Sequence, residues 1–267
     1  MRRRFIPAHP VPEPPARRLR RENCYLSHER LDAGLVVCLD GVGGYDWLPR
    51  LLRRGLAQGG VKAAIVIYHW SVGPLGMWVA DLALRRRNRE SARRLAEVLA
   101  AYQDWKPGRP VVLIGHSGGG AVGAWTLEAM PEGRRLDRAL LLAPALSPGY
   151  NLAPAARAVR ERLYVTYSWL DVGLMGIGTS VFGTMDGRHT PSAGLVGFRR
   201  PPDLSLADQE AYVKVLQMGW HPRLFRDGHF GDHTGCTNAK FSRRVLAPVV
   251  LGRADFGGVT AFPGRDK

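Results

Sequence analysis

Ser117 is the residue whose surroundings most clearly suggest chemistry. It sits in Gly115-His116-Ser117-Gly118-Gly119, directly after the apolar run Val111–Ile114 and directly before a helix-forming segment, Ala121 to Met130. A Gly-x-Ser-x-Gly pattern between a strand and a helix puts a hydroxyl at the tip of a sharp turn. The backbone there must approach its neighbours closely, and Gly115 and Gly119 leave out the side chains that would obstruct it. The first turn of the helix offers free N–H groups and the positive end of a dipole to a developing oxyanion. Two phosphate-binding alternatives fail. No Lys-Ser or Lys-Thr follows the glycines, and the Gly-x-Gly-x-x-Gly spacing at Gly118, Gly120 and Gly123 is out of register with the end of the apolar run at Ile114.

A serine hydroxyl is a weak nucleophile at neutral pH. It needs a base to take its proton and an acid to orient that base. The stretch from Trp220 to Gly235 is rich in histidine and aspartate, and Asp171 and Asp186 lie between it and Ser117. The same cluster permits a second chemistry. His221, His229, His233 and Cys236, with Asp227 or Asp232, include a His-x-x-x-His pair and a nearby thiol, the raw material of a metal site. No second ligand group with familiar spacing accompanies it. His69 at a strand end, His116 inside the turn and Cys38 in mid-strand read as structural residues.

With these residues the sequence resembles the α/β-hydrolase superfamily. The resemblance spans about Leu35 to Leu251, but only the serine turn is a specific motif. It implies an α/β fold: a doubly wound, mostly parallel sheet flanked by helices, in a single domain. It makes Ser117 the nucleophile and implies the chain order serine, acid, histidine. Asp171 then follows a strand and fits the acid, with Asp186 as its rival. His233 stands just ahead of the last helix and fits the base, with His229 as its rival. The loop Gly41–Gly44, after an early strand, resembles the segment that lends an N–H to the oxyanion hole, with Val42 as the donor beside Gly118. The implied activity is that of a serine hydrolase cleaving a small-molecule ester, thioester or related acyl bond, with no cofactor. An acyltransferase on the same triad and a catalytically silent binding protein remain alternatives, since fold does not fix function.

The elements that must hold these residues are legible in outline. Leu35–Leu39 is an unbroken apolar run, as expected of a strand buried on both faces. Further strands are expected at Val61–Tyr68, Arg138–Leu142 and Leu163–Ser168, and helices at Trp47–Leu56, Leu84–Tyr102 and, to close the fold, Ala239–Leu251, with Pro248 ending or kinking the last. Ser205 opens a short helix in a capping-box pattern with Asp208. Gly173 to Gly197 holds seven glycines without a clear period and reads as a loop at the mouth of the site. The alternation of strands and helices predicts a parallel sheet.

Composition bounds the rest. The 267 residues carry 38 basic and 23 acidic side chains, a net charge of +15. That balance favours anionic surfaces, yet the arginines are spread along the chain and not interleaved with aromatics, so no specific nucleic-acid partner is expected. Contact with an anionic surface stays open. Three cysteines, Cys24, Cys38 and Cys236, are too few and odd in number for a disulfide framework. No apolar run approaches the ~18 residues of a membrane span, and a cytoplasmic location is expected. Residues 1–22, with five prolines and seven arginines, read as a poorly ordered arm, followed by a domain over 23–255 and a tail over 256–267.

Overall fold

The computed structural model describes residues 24–44, 47–73, 81, 82 and 84–256. The arm expected at 1–22 and nearly all of the expected tail lie outside the described residues. Among the described residues six strands form one sheet: β1 (Leu35–Leu39), β2 (Ala64–Tyr68), β3 (Val111–His116), β4 (Leu136–Leu142), β5 (Val159–Tyr167) and β6 (Val215–Gly219). Their order is β2-β1-β3-β4-β5-β6, and all five pairings are parallel.

The strands are apolar on both faces because both faces are covered. Leu35, Val37, Leu39, Leu113, Leu141 and Val165 point to one side. There they meet Leu95, Leu99 and Tyr102 of α3 (Arg85–Trp105) and Trp125 of α4 (Gly118–Glu128), α1 being His28–Ala33 and α2 Trp47–Gln58. The alternate residues Val36, Cys38, Val112, Ile114, Leu140 and Leu142 point to the other side. They pack on Leu52 and Leu56 of α2 and on Phe241, Leu246 and Val249 near the C-terminus. The two-residue period of the strands thus builds two cores, and each fully buried Leu contributes roughly 2 kcal/mol. In α3 the stripe Ala92, Leu95, Leu99 and Tyr102 is buried, while Val98 is exposed.

Two expectations need correction, and one strand was missed. The stretch from Gly173 to Gly197 is not structureless. It holds most of a π-helical turn, Val172–Gly178, and short helices at Thr179–Phe182 and Ala193–Val196. β6 was not anticipated, because Val215-Leu216-Gln217-Met218-Gly219 is short and carries a polar residue. Gln217 is nevertheless buried, since its side-chain amide bonds both backbone groups of Phe198, donating at 3.0 Å and accepting at 2.7 Å. The closing helix is interrupted. A π-helical turn at Ser242–Leu246 separates Ala239–Phe241 from Ala247–Val250. Pro248 cannot donate to the helix ladder, and a widened turn just before it is one way to accommodate that loss. The Ser205 cap is present: Ser205 Oγ accepts from Asp208 N at 3.2 Å.

Candidate active site

The turn after β3 carries Ser117 at φ 56° and ψ −120°, a conformation that L-residues rarely adopt. Three hydrogen bonds hold it there. Ser117 N donates to Leu142 O at 2.9 Å, and Ser117 O accepts from Gly120 N at 2.9 Å and Ala145 N at 3.1 Å. The glycines on either side are required by space. A Cβ on Gly115 would lie 2.2 Å from Gly119 O, and one on Gly119 would lie 2.1 Å from Asp40 O. The turn therefore presses the start of α4 against the end of β1.

The loop after β1 lies against the nucleophile. A Cβ on Gly41 would stand 3.4 Å from Ser117 Cβ, and one on Gly118 would stand 2.7 Å from Val42 Cγ1. Gly118 N–H is the first of α4, so helix geometry gives it no intrahelical partner. Among the described residues the Val42 N–H makes no hydrogen bond. The loop is fixed one residue later. Gly43 N donates to Asp81 Oδ2 at 2.8 Å, while Ser71 Oγ donates to the same oxygen at 2.6 Å and Val72 N donates to Oδ1 at 2.8 Å. Asp81 is buried. Sequence reasoning missed it, and no spacing signal joins residue 81 to residue 43.

Asp171 and His233 are brought together. His233 Nδ1 lies 2.6 Å from Asp171 Oδ2, with both side chains largely buried. An imidazole that donates from Nδ1 keeps its free lone pair on Nε2. His116 ties this pair to the serine turn. Its ring lies 4.7 Å from that of His233, and its Nε2 is 2.9 Å from His233 O. Burial, and then the neighbouring His233, push His116 down to about 3, so its ring is neutral and Nε2 is the donor. Its Nδ1 is buried without a hydrogen-bond partner and lies on the Gly41 side of the turn. Among the described residues no hydrogen bond joins Ser117 to His233.

The rival residues hold backbone. Asp186 accepts from Ser147 N at 2.9 Å, from Ser147 Oγ at 2.5 Å and from Thr184 Oγ1 at 2.7 Å, which closes a turn onto the segment after β4. His229 Nδ1 accepts from Gly231 N at 3.2 Å, and its ring packs edge-on against Phe241 at 5.1 Å. Burial pushes His229 down to about 4. Cys236 is buried and its thiol is pushed well above the ordinary range by that burial, so it is no thiolate. Among the described residues no three His, Cys, Asp or Glu side chains are grouped to hold a metal ion. His69 is half-exposed beside the buried Asp40, with Nδ1 at 3.5 Å from Oδ2. Cys38 and Cys236 are buried free thiols.

A parallel sheet in this strand order, with helices on both faces and a strained serine on the turn after its third strand in sequence, defines the α/β-hydrolase fold. No protein-family model matches the chain, and no curated protein matches it. Among solved structures the chain is similar to one from Pectobacterium atrosepticum described as a "putative yden-like hydrolase". That match has 14% identity and a TM-score of 0.38, and covers 88% of this chain and 100% of that one. At that level of likeness no residue of one chain assigns a role to a residue of the other. Among the described residues no helix is long and apolar enough to cross a membrane.

Proposed function

We propose that this chain is a serine hydrolase that cleaves an ester, thioester or related acyl bond of a small molecule. The observation that carries the proposal is the 2.6 Å contact of His233 with Asp171, in a ring that leans on the residue preceding a strained Ser117. In this reading Ser117 Oγ attacks the acyl carbonyl carbon as His233 Nε2 takes its proton. The carbonyl π electrons move to oxygen, and the N–H groups of Gly118 and Val42 stabilise the resulting oxyanion. When the oxyanion collapses, the bond to the leaving alkoxide or thiolate breaks, and the proton on His233 passes to it. Water then attacks the acyl-enzyme in the same way, and the acid departs. Asp171 holds the imidazole in the tautomer that leaves Nε2 free and stabilises its charge once protonated. His229 holds the loop.

A fluorophosphonate probe tests the nucleophile. It should label the protein, and Ser117→Ala should abolish both labelling and ester turnover, the latter by roughly 10⁴-fold or more. Single-turnover kinetics separate the histidines. His233→Ala should lose acylation and deacylation together, whereas His229→Ala should keep most of the chemical rate and lose stability. A dead His229→Ala beside an active His233→Ala would exchange the two assignments. Labelling with acyl transfer to an added thiol, in place of hydrolysis, would make the chain a transferase.

A further inference from the structure

Beside the loop that carries His233 runs a line of aromatic rings that the proposed chemistry does not use. Trp169 and Trp220 meet edge to face at 5.9 Å, Trp220 and Phe225 at 5.3 Å, and Phe225 and Phe230 lie 5.6 Å apart. Trp220 is buried and anchors the line through its indole N–H, which donates to His229 O at 3.0 Å. The other three stand in water, with Trp169 59% exposed, Phe225 47% and Phe230 55%. The line is joined to the candidate site. Ser168 Oγ donates to Gly231 O at 2.6 Å, and Leu170 fills the space that Gly231 leaves open. The ridge is therefore continuous with both the segment that bears Asp171 and the loop that bears His233.

Cations flank the same ridge. Phe225 lies in a 3-10 turn, Pro222–Asp227, between Arg223 and Arg226, which are both exposed. Among the described residues no carboxylate lies within ion-pair distance of either arginine, while the nearby Asp227 is engaged by Arg244 at 2.6 Å. These arginines line a shallow cleft with Pro222 and Asp227. Half-exposed aromatic rings are poorly solvated by water and are at home at the level of lipid headgroups. Arginine suits the same boundary, because its stem lies on apolar surface while its head stays with phosphate. A net charge of +15 adds long-range attraction to a negative surface.

We propose that the ridge Trp169–Phe225–Phe230, with Arg223 and Arg226, docks the protein on a membrane of anionic phospholipid. The rings enter the interface and the arginines meet the phosphates, so the loop bearing His233 faces the lipid. A fluid surface conforms to separate rings and needs no shaped counterpart, which favours lipid over an acidic protein. Docking does not depend on the hydrolytic reading and is measured on a chain that need not turn over.

The test is co-sedimentation of the full chain carrying Ser117→Ala with vesicles of phosphatidylcholine, alone or with phosphatidylglycerol. Binding should require phosphatidylglycerol and weaken with salt. Adding Arg223→Gln and Arg226→Gln should lower partitioning by about fivefold per arginine. Adding Phe225→Ser and Phe230→Ser should lower it by about tenfold, including at salt that screens the arginines. Circular dichroism checks that each variant is folded, and the arginine pair alone decides if the phenylalanine pair is not. Folded variants that bind like their parent overturn the proposal and move the binding to the other basic residues. A parent that ignores anionic vesicles also overturns it and leaves the ridge to a protein partner.

Discussion

At the scale of single residues, Ser117 works against the fold that holds it. Its positive φ costs on the order of 1–3 kcal/mol for a non-glycine residue, and the bonds to Leu142, Gly120 and Ala145 keep it in place. Ser117→Gly should therefore raise stability by about 1 kcal/mol, even after the extra entropy of an unfolded glycine, while removing the reactive hydroxyl. The urea midpoint reads the gain, and a midpoint lower than that of the parent would show that the turn is not strained. The candidates Ser117, Asp171 and His233 could be named from the sequence, because a short glycine pattern and the chain order that the resemblance implies point to them. The part played by His116 was not. Its neutral ring reaches the carbonyl of His233 across 117 positions of sequence, and no local pattern encodes such a contact.

At the scale of elements, the loop after β1 depends on one buried carboxylate. Asp81 accepts from Gly43, Ser71 and Val72, and so ties the proposed oxyanion donor at Val42 to the segment that follows β2. Asp81→Asn would turn an N–H donor toward one of these three donors. A full oxyanion donor is worth about 10²–10³ in kcat, so a loosened one should cost roughly 10–10². KM for the ester should change little, while affinity for a trifluoromethyl ketone, which binds as the oxyanion, should fall in step with kcat. A variant that loses ketone affinity no more than product affinity would reduce Asp81 to a structural residue. β1 and β3, as unbroken apolar runs, and the helices α2 and α3 were readable in the sequence. β6 was hidden by Gln217, whose polarity is cancelled by two bonds to the backbone of Phe198. The glycines of 173–197 hid a π-helical turn in the same way, because local propensity argues against a helix that tertiary contacts impose.

At the scale of the whole molecule, two buried histidines link stability to pH. Burial lowers His116 to about 3 and His229 to about 4. In the unfolded chain both titrate near the ordinary value of ~6.5, so the unfolded state binds more protons below that pH. Their contribution is complete above ~6.5 and is lost as pH falls toward the folded values, at about 2 kcal/mol for each by pH 5. Urea unfolding at pH 7 and pH 5 measures the loss, and His229→Phe should remove about half of it. The order of the sheet has a consequence for how the chain reaches this state. β1 becomes an interior strand only when β3 joins it, and Leu35 pairs with Val111, 76 positions later (111 − 35). A chain still emerging from the ribosome thus carries a wholly apolar strand with one edge unmatched until the serine turn itself is nearly made. Synthesis that stalls before residue 111 leaves that edge open to another chain, and adding the segment that leads into the serine turn moves the open edge outward to β3, which waits in turn for β4.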